Sequence, residues 1–283
     1  MVIFKKSADI KQHLQNLRLK GIRTGYVPTM GALHEGHLSL ISESKKQTQI
    51  TICSIFVNPT QFNNPEDFSK YPVTIDQDIY KLEKNKCDVL FLPDVAEMYP
   101  RGIEENFHVE LGYLENILEG RFRPGHFQGV CNIVKHLAEI IEPDIMFLGQ
   151  KDYQQCMVIK KLLQLMNSAV SLQVCDTVRE PDGLAMSSRN LRLNAEERKT
   201  AVEIYNAMDR IKKNVNKEDF VSLTQRVSDE LSAKGFKVDY IQIADAETLL
   251  PVNKYDDAQG LVVLAAAYLN NIRLIDNLII KGE

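Results

Sequence analysis

Short apolar runs alternate with helix-like patterns through the first 176 residues, and this alternation constrains the fold more than any other feature. The runs typical of strands lie at 25–29, 49–57, 88–92, 145–148 and 169–175. Helical patterns lie between them, at 37–46, 76–85, 130–141 and 153–166. Strands that alternate with helices build a mostly parallel sheet with helices on both faces, so we predict an α/β fold for this part of the chain.

The pattern changes after residues 179–183. Two helical segments follow, near 195–214 and 217–234, and strands are predicted at 237–244, 261–268 and 272–280. Asn194 and Glu197 have the spacing of a capping box at the start of the first of these helices. Helices followed by neighbouring strands predict a smaller α+β domain. We therefore divide the chain into domains 1–176 and 177–283.

Composition narrows the classes of function. The formal net charge is -4 and the chain has no long basic run, which argues against a general nucleic-acid surface. The longest obvious apolar run, 261–269, is far shorter than the ~20 residues that a membrane helix needs. The chain start lacks the apolar core of a signal peptide. Five scattered cysteines without a Cys-x-x-Cys pair do not favour disulfides or zinc, and we expect a cytoplasmic protein.

Residues 28–37 lie between the first predicted strand and its helix, and they carry more glycine and polar side chains than packing requires. Gly31 and Gly36 let the backbone approach a ligand closely, and the amino terminus of a helix offers N–H groups to an anion. His34 and His37 place two imidazoles beside those groups. The same residues fit a capped helix with two surface histidines. Their i, i+3 spacing also permits zinc, although no third ligand is evident.

Two further polar segments also follow predicted strands. In 56–62, Asn58 and Gln61 suit hydroxyl or carboxylate groups, although a turn with an Asn-Pro step has the same residues without a function. In 147–155, Lys151 near a helix start suits a phosphate, although Asp152 and Gln155 also have the spacing of a capping box at that helix start. Because open α/β sheets bind ligands beyond the carboxyl ends of their strands, we expect these segments to share one site with 28–37.

Residues 183–190 form a fourth polar segment, at the predicted domain boundary. Small hydroxyls beside an arginine suit polyphosphate contact there, and an interdomain linker has the same composition. The chain contains neither a Gly-x-x-x-x-Gly-Lys-Ser/Thr loop nor a Gly-x-Gly-x-x-Gly motif. A nucleotide therefore needs a different phosphate cradle.

Together with 123–130 and 179–190, these segments resemble blocks of the pantothenate synthetase family in order along nearly the whole chain. Residues 28–37 are similar to the His-Ile-Gly-His element of class I aminoacyl-tRNA synthetases and nucleotidylyltransferases. The resemblance implies a Rossmann-like domain that binds ATP and pantoate, a smaller carboxyl-terminal lid domain, and a homodimer. It also implies Mg²⁺ and an ATP-dependent condensation of (R)-pantoate with β-alanine through a pantoyl-adenylate.

The resemblance implies roles for individual residues. His37, His34 and Lys151 would be catalytic, Gln61 and Gln155 would hold pantoate or β-alanine, and Asp78 would lie near the magnesium ion. The implied ATP contacts are Met30, Gly31, Ala32, Leu33, His34, Glu35, Gly36, His37, Gly149, Gln150, Lys151, Asp152, Val178, Met186, Ser187, Ser188 and Arg189. Two positions depart from the family pattern: Val73 replaces an arginine, and Gln77 replaces an acidic residue. Thr74 and Gln77 fit a capping box instead.

Two other classes of function are compatible with parts of this pattern. A nucleotidylyltransferase would transfer a nucleotide to a phosphate and would not need β-alanine. An RNA-binding synthetase-like module would lack catalysis, and the acidic net charge argues against it. We therefore expect small-molecule partners and no nucleic-acid or membrane partner.

Overall fold

A computed structural model describes residues 1–103 and 108–281. Their contacts separate them into two compact units. The first contains Met1–Gln150 and Gln154–Asp176, and the second contains Lys151–Tyr153 and the chain from Thr177 onward. The three residues 151–153, which we predicted to lie in the first domain, therefore group with the second.

The first unit contains the predicted parallel sheet. Its strands are β1 (Val2–Phe4), β2 (Thr24–Thr29), β3 (Ile50–Ile55), β4 (Val89–Phe91), β5 (Ile145–Gly149) and β6 (Ser171–Cys175). Its helices are α1 (Ser7–Arg18), α2 (Glu35–Gln47), α3 (Pro65–Ser69), α4 (Ile75–Lys84), α5 (Val95–Met98), α6 (Leu118–Phe122), α7 (His126–Ile141) and α8 (Tyr153–Leu165), whose first residue belongs to the second unit. Short 3₁₀ turns lie at Pro59–Gln61, Gly112–Glu115 and Gln150–Asp152.

All paired strands of this sheet run parallel, in the order β1-β4-β3-β2-β5-β6. The predicted parallel sheet is thus confirmed. From β2 the chain proceeds to β3 and β4 on one side, then returns to β5 and β6 on the other. The connections therefore change direction between β2 and β5, and such a switch point opens a crevice at the carboxyl edge of the sheet.

Alternate strand residues bury one face of this sheet. Val27, Cys53, Leu90 and Phe147 come from four neighbouring strands and belong to one cluster with Ile41 of α2. Each of these five side chains is almost inaccessible to solvent. Because a fully buried aliphatic or aromatic side chain contributes about 1.5–3 kcal/mol, this layer holds α2 firmly against the strands that precede the polar segments.

The second unit is an α+β structure. Its helices are α9 (Ala195–Ala201), α10 (Glu203–Asn214) and α11 (Phe220–Ala233), and its strands are β7 (Phe236–Asp245), β8 (Leu261–Leu269) and β9 (Ile272–Lys281). The strands form an antiparallel sheet in the order β7-β8-β9, and 3₁₀ turns lie at Ser188–Arg192 and Tyr255–Asp257. The predicted capping box of Asn194 and Glu197 is present. The single helix predicted over 195–214 is wrong, because the chain divides into α9 and α10 at Val202.

The core of the second unit contains residues at helical spacing from α10 and residues at strand spacing from β8. Ile204, Met208 and Ile211 recur along one face of α10, as helical spacing requires. Val263 and Ala265 recur at every second residue of β8 and belong to the same buried cluster. The apolar face of the helices therefore packs against one face of the three-stranded sheet.

No helix within the described parts of the chain combines the length and apolar character needed to cross a membrane. Four of the five cysteine side chains are buried. Cys175, at the end of β6, is half-buried. The thiols therefore behave as small apolar groups in the packing.

Candidate active site

Three of the predicted polar segments begin where neighbouring strands end. Residues 30–37 follow β2, residues 56–62 follow β3, and residues 150–155 follow β5. These three strands are adjacent in the sheet, in the order β3-β2-β5. The segments therefore leave the carboxyl edge of the sheet beside the switch point, which is where open α/β sheets bind ligands.

His34 and His37 cap the amino terminus of α2 reciprocally. The Nδ1 atom of His34 accepts a hydrogen bond from the Gly36 N–H at 3.2 Å, and the Nδ1 atom of His37 accepts one from the His34 N–H at 3.3 Å. The two ring centroids lie 4.0 Å apart. This is the geometry of a capping box, with imidazoles in place of the usual hydroxyl and carboxamide groups. Both histidines are thus oriented by the backbone of the loop that contains them.

The two caps also determine which ring nitrogen carries the proton. A ring nitrogen that accepts a hydrogen bond carries no hydrogen, so in each neutral imidazole the proton lies on Nε2. His34 and His37 are therefore donors at Nε2, and both rings are only partly buried. Paired donors at a helix amino terminus suit an anionic oxygen. The capped-helix alternative is thus confirmed, and binding of a ligand by the two Nε2 atoms stays a prediction.

Asp78 supports this loop from α4. Its carboxylate accepts hydrogen bonds from the Ala32 N–H at 2.9 Å and the Leu33 N–H at 2.8 Å. The Thr74 hydroxyl donates to both of its oxygens, at 3.1 and 3.2 Å. Asp78 has no exposed surface. The carboxylate is therefore committed to the loop backbone, and this donor set does not fit the predicted magnesium ligand.

Two other residues of the α4 region, Thr74 and Lys81, also differ from or add to the sequence prediction. Thr74 occupies the N-cap position, but its side chain makes no cap hydrogen bond, so the capping box predicted for Thr74 and Gln77 is wrong. Lys81, one turn beyond Asp78, donates from Nζ to the Leu33 carbonyl at 2.5 Å. Ala32 lies between these anchors with a positive φ of 48°, a conformation that is unfavourable for residues with a side chain. The hydrogen bonds from Asp78 and Lys81 of α4 stabilise that turn.

The sequence and the structure both match known proteins across their full length. A family model described as pantoate-beta-alanine ligase matches residues 2–279. The chain belongs to the pantoate-beta-alanine ligase family. A pantothenate synthetase of Cytophaga hutchinsonii is 43% identical to it, and the match covers 99% of each chain.

Two solved structures of the same family agree with this fold. Pantothenate synthetase from Thermus thermophilus is 36% identical, superposes with a TM-score of 0.92, and is matched over 100% of each chain. Pantoate-beta-alanine ligase from Francisella tularensis, whose structure is a complex with beta-gamma ATP and beta-alanine, is 37% identical with a TM-score of 0.85. That match covers 100% of this chain and 99% of the Francisella chain. The predicted combination of a parallel sheet and a small second unit is therefore confirmed.

Gln61, a predicted pantoate residue, is held beside the first segment. Its Nε2 atom lies 2.8 Å from the Met30 sulfur, and its Oε1 atom accepts a hydrogen bond from Asn58 Nδ2 at 3.3 Å. Asn58 is 1% exposed and also accepts the Tyr99 hydroxyl at 2.7 Å. Asn58 was a candidate ligand by sequence. Its burial and its partners instead show that it supports the turn that carries Gln61.

Helix α7 provides a second support that the sequence did not reveal. The Nδ1 atom of His126 lies 2.7 Å from the Gln61 carbonyl oxygen. Gly129, one turn later, accepts from Asn58 Nδ2 through its carbonyl at 3.1 Å. A Cβ atom at Gly129 would lie 2.2 Å from the Thr60 carbonyl oxygen, so only glycine permits this approach. The family resemblance of 123–130 was the one available signal, and it did not specify this contact.

In the second unit, residues 178–186 form a tight hairpin that includes the start of the fourth segment. Arg179 and Ala185 form an antiparallel bridge, and the Met186 N–H donates to the Val178 carbonyl at 3.0 Å. Two predicted ATP residues, Val178 and Met186, are thus neighbours across the hairpin. Ser187 then caps a 3₁₀ turn through the Arg189 N–H at 3.3 Å, whereas Ser188 is buried. This segment, for which an interdomain linker was the alternative, therefore has defined backbone hydrogen bonds within the second unit.

Lys151 belongs to the second unit although it directly follows Gln150 of the first. Its side chain is 16% exposed, and its Nζ lies 3.9 Å from the Asp152 carboxylate, beyond hydrogen-bond distance. Gly149 and Gln150 are half-buried at the end of β5, and Gln155 is half-buried in the first turn of α8. Within the first unit the structure brings together residues 30–37, Gln61 and the supporting Asp78. The meeting of these residues with Lys151 and the hairpin stays a prediction.

No group of three or more His, Cys, Asp or Glu side chains in residues 1–103 and 108–281 is arranged to hold a metal ion. His34 and His37 use Nδ1 for the helix cap, and Asp78 uses its carboxylate for the loop. The two histidines are therefore suited to hydrogen bonding of an anion through Nε2, whereas the Asp78 carboxylate is already occupied by backbone N–H groups.

Proposed function

We propose that this protein condenses pantoate with β-alanine, uses ATP to activate the pantoate carboxylate, and releases AMP and pyrophosphate. The observation that supports this most directly is the pair of Nε2–H donors of His34 and His37 at the start of α2. They lie at the carboxyl edge of the sheet, in the same loop as Met30, whose sulfur is 2.8 Å from Gln61 Nε2. The ligands named for the Francisella relative, beta-gamma ATP and beta-alanine, belong to the same reaction.

In the first step a carboxylate oxygen of pantoate attacks the α-phosphorus of ATP. A new P–O bond forms while the bond to the bridging oxygen of pyrophosphate breaks, and the electron pair leaves with pyrophosphate. Two anions must approach each other, and negative charge grows on the leaving group. Preorganised cations and N–H donors lower this barrier most effectively.

We assign those roles to three side chains. Lys151 supplies a positive charge, while His34 and His37 donate from Nε2 to phosphate oxygens. Gln61 and Gln155 hold pantoate, so that its carboxylate lies in line with the α-phosphorus. The implied ATP contacts of the hairpin, at Val178 and 186–189, stay part of this proposal.

In the second step the amine of β-alanine attacks the acyl carbon of pantoyl-adenylate. The new C–N bond forms, the C–O bond to AMP breaks, and the amine proton leaves to solvent. A site that excludes water before this step protects the mixed anhydride from hydrolysis. This requirement is the physical reason for a lid, and the lid role of the second unit stays a prediction.

Magnesium, which the family resemblance implies, would enter with the ATP phosphates. Mg²⁺ commonly keeps several waters and binds through substrate phosphates with few protein ligands. Because Asp78 is occupied by Ala32 and Leu33, we do not place it among the ligands of that ion.

The decisive experiment measures AMP release by the purified protein while pantoate, β-alanine and ATP are omitted in turn. We expect AMP only when all three are present, and ATP–pyrophosphate exchange when pantoate and ATP are present without β-alanine. A nucleotidylyltransferase would not need β-alanine. Nucleotide transfer that requires neither pantoate nor β-alanine would therefore disprove the proposed function.

We also propose, from the family resemblance, that the protein is a cytoplasmic homodimer without nucleic-acid or membrane partners. Light scattering of the purified protein measures the mass against 32.2 kDa for one chain. Small-angle X-ray scattering with and without a non-hydrolysable ATP analogue tests domain closure, since a lid that closes over ATP makes the particle more compact.

A further inference from the structure

A buried ion pair joins the hairpin of the second unit to its last strand. Arg179 binds both carboxylate oxygens of Asp276, at 2.6 and 3.0 Å. The Asp276 side chain has no exposed surface, and Arg179 is 18% exposed. Bidentate arginine–carboxylate pairs restrict orientation as well as distance, so this pair aligns the hairpin with β9.

Two further N–H donors of Arg179 are directed at backbone carbonyls. NH1 donates to the Gly183 carbonyl at 3.0 Å, and NH2 donates to the Asn277 carbonyl at 3.1 Å. The guanidinium lies over the Tyr205 ring, 4.7 Å from its centroid. Gly183 has a φ of 97°, and a Cβ atom there would lie 2.3 Å from the same ring, so the fit around Arg179 is tight.

Asn277 connects this pair to the residue that we assign to catalysis. Its Nδ2 atom donates to the Lys151 carbonyl at 2.9 Å, and its own N–H donates to the Asp276 carboxylate at 2.7 Å. Asn277 is 1% exposed. A second bond anchors the same turn, because the Tyr153 hydroxyl donates to the Ala246 carbonyl at 2.6 Å. These two bonds explain why residues 151–153 group with the second unit.

Opposite charges hold the Arg179 guanidinium and the Asp276 carboxylate in a fixed arrangement. Burial raises the pKa of the Asp276 carboxyl, and the Arg179 guanidinium opposes that rise. A buried carboxylate whose two oxygens are both occupied by a permanently charged arginine has little freedom to rearrange. Asn277 is bonded to both members of the pair, so its position is fixed with theirs.

We propose that Asn277, held in place by the Arg179–Asp276 ion pair, is a positioning residue that fixes the main chain at Lys151 for the adenylation step. It acts on Lys151 and not on substrate. The inference rests on the proposed function, because it gives Asn277 a role only if Lys151 acts on the phosphates. A displacement of about 1 Å in a catalytic group can cost roughly a hundredfold in rate.

The primary test replaces Asn277 with alanine and follows ATP–pyrophosphate exchange in the presence of pantoate. We expect kcat to fall about tenfold to a hundredfold, with the KM for pantoate within about twofold, because Lys151 acts mainly in the transition state. Asn214→Ala is the matched control, since Asn214 also donates from Nδ2 to a carbonyl, that of Arg210, at 2.8 Å in the same unit. The control should keep the kcat of the wild type.

A double-mutant cycle separates positioning from general stability. Asn277→Ala is combined with Lys151→Arg, which keeps a cation in a different geometry. If Asn277 acts through Lys151, the alanine substitution costs much less in the Lys151→Arg background than in the wild type. Equal fold-changes in the two backgrounds would overturn the proposal, as would a wild-type kcat in folded Asn277→Ala.

Arg179→Lys covers the case in which Asn277→Ala fails to fold. Lysine keeps the charge opposite Asp276 but loses the fork that also binds the Asn277 carbonyl, so kcat should fall while the melting temperature changes less than in Arg179→Ala. A wild-type kcat would overturn the proposal. Loss of the proposed function itself has a different signature, because the wild-type protein would then release no β-alanine-dependent AMP.

Discussion

The buried carboxylate of Asp78 accepts a hydrogen bond from the Leu33 N–H at 2.8 Å, although 45 residues separate the two along the chain. The same carboxylate binds the Ala32 N–H, and Lys81 binds the Leu33 carbonyl from the next turn of α4. Helix α4 therefore maintains the loop that presents His34 and His37. Asp78, which the family resemblance implies near a magnesium ion, is thus a structural support of this loop.

Replacing Asp78 with asparagine tests this role. The amide group would set an N–H donor against the Ala32 or Leu33 N–H, and we expect a loss of about 1–3 kcal/mol in the free energy of unfolding. Activity should fall because the loop moves, while the Mg²⁺ concentration for half-maximal activity should stay unchanged. Asp76→Asn, at a solvent-accessible position of α4, is the control. A shifted Mg²⁺ requirement with normal stability would restore the metal-ligand interpretation.

Replacing Lys151 with alanine should reduce adenylate formation by at least about a hundredfold, because a preorganised charge at the phosphates would be lost. The fold should stay intact, since the Asn277 and Tyr153 bonds to this turn do not involve the lysine side chain. Single-turnover formation of pantoyl-adenylate is the measurement. Lys160→Ala, at an exposed position of α8, should be neutral. A near-wild-type rate for Lys151→Ala would refute the assigned role.

His37 combines a cap with a donor, and two substitutions separate these functions. His37→Asn places an acceptor near the position of Nδ1, so it should keep the hydrogen bond from the His34 N–H, worth about 0.5–1.5 kcal/mol, and still lose most of the adenylation rate. His37→Gln places an amide near Nε2 and should retain more activity. Thermal unfolding and pyrophosphate exchange give the two readouts. The reverse order of activities would contradict the assignment of Nε2 as the donor.

Gly129→Ala should disturb the turn that carries Gln61. The added methyl group would meet the Thr60 carbonyl oxygen at 2.2 Å, and backbone on both sides leaves little room to relax. We expect a destabilisation of about 1–3 kcal/mol and a higher KM for pantoate. Glu139→Ala, at an exposed position later in α7, should change stability by less than about 0.5 kcal/mol. An unchanged pantoate KM in the folded variant would count against the Gln61 assignment.

The thiols should react slowly with iodoacetamide in the native protein. Burial raises the pKa of Cys175 to about 11, and the pKa of Cys87 and of Cys131 to about 12. At pH 8 the thiolate fraction of Cys175 is then about 0.1%, and it grows roughly tenfold with each pH unit up to the pKa. Mass spectrometry should detect Cys175 as the first site labelled, because it is half-buried. Rapid labelling of Cys53 before unfolding would contradict the packing.

Local chemistry along the chain was sufficient to predict much of this protein. Neighbouring residues decide where strands and helix caps form, so these features can be predicted from the sequence. Examples are the strands at 49–57 and 145–148 and the capping box of Asn194 and Glu197. The family blocks added the reaction and the expected site residues. The sequence pattern did not indicate the division of 195–214 at Val202. It also suggested a cap at Thr74, whose hydroxyl instead donates to Asp78.

The contacts that support the site depend on three-dimensional packing. Asp78 reaches Leu33, Asn58 reaches Gly129, and Asn277 reaches Lys151 across 126 residues. Periodicity and turn chemistry describe only residues that are near one another along the backbone. Hydrogen bonds between distant segments depend on the order of strands and the register of packed helices, which the whole buried core sets together. For this reason the chemistry was visible in the sequence, whereas the supports that orient it were not.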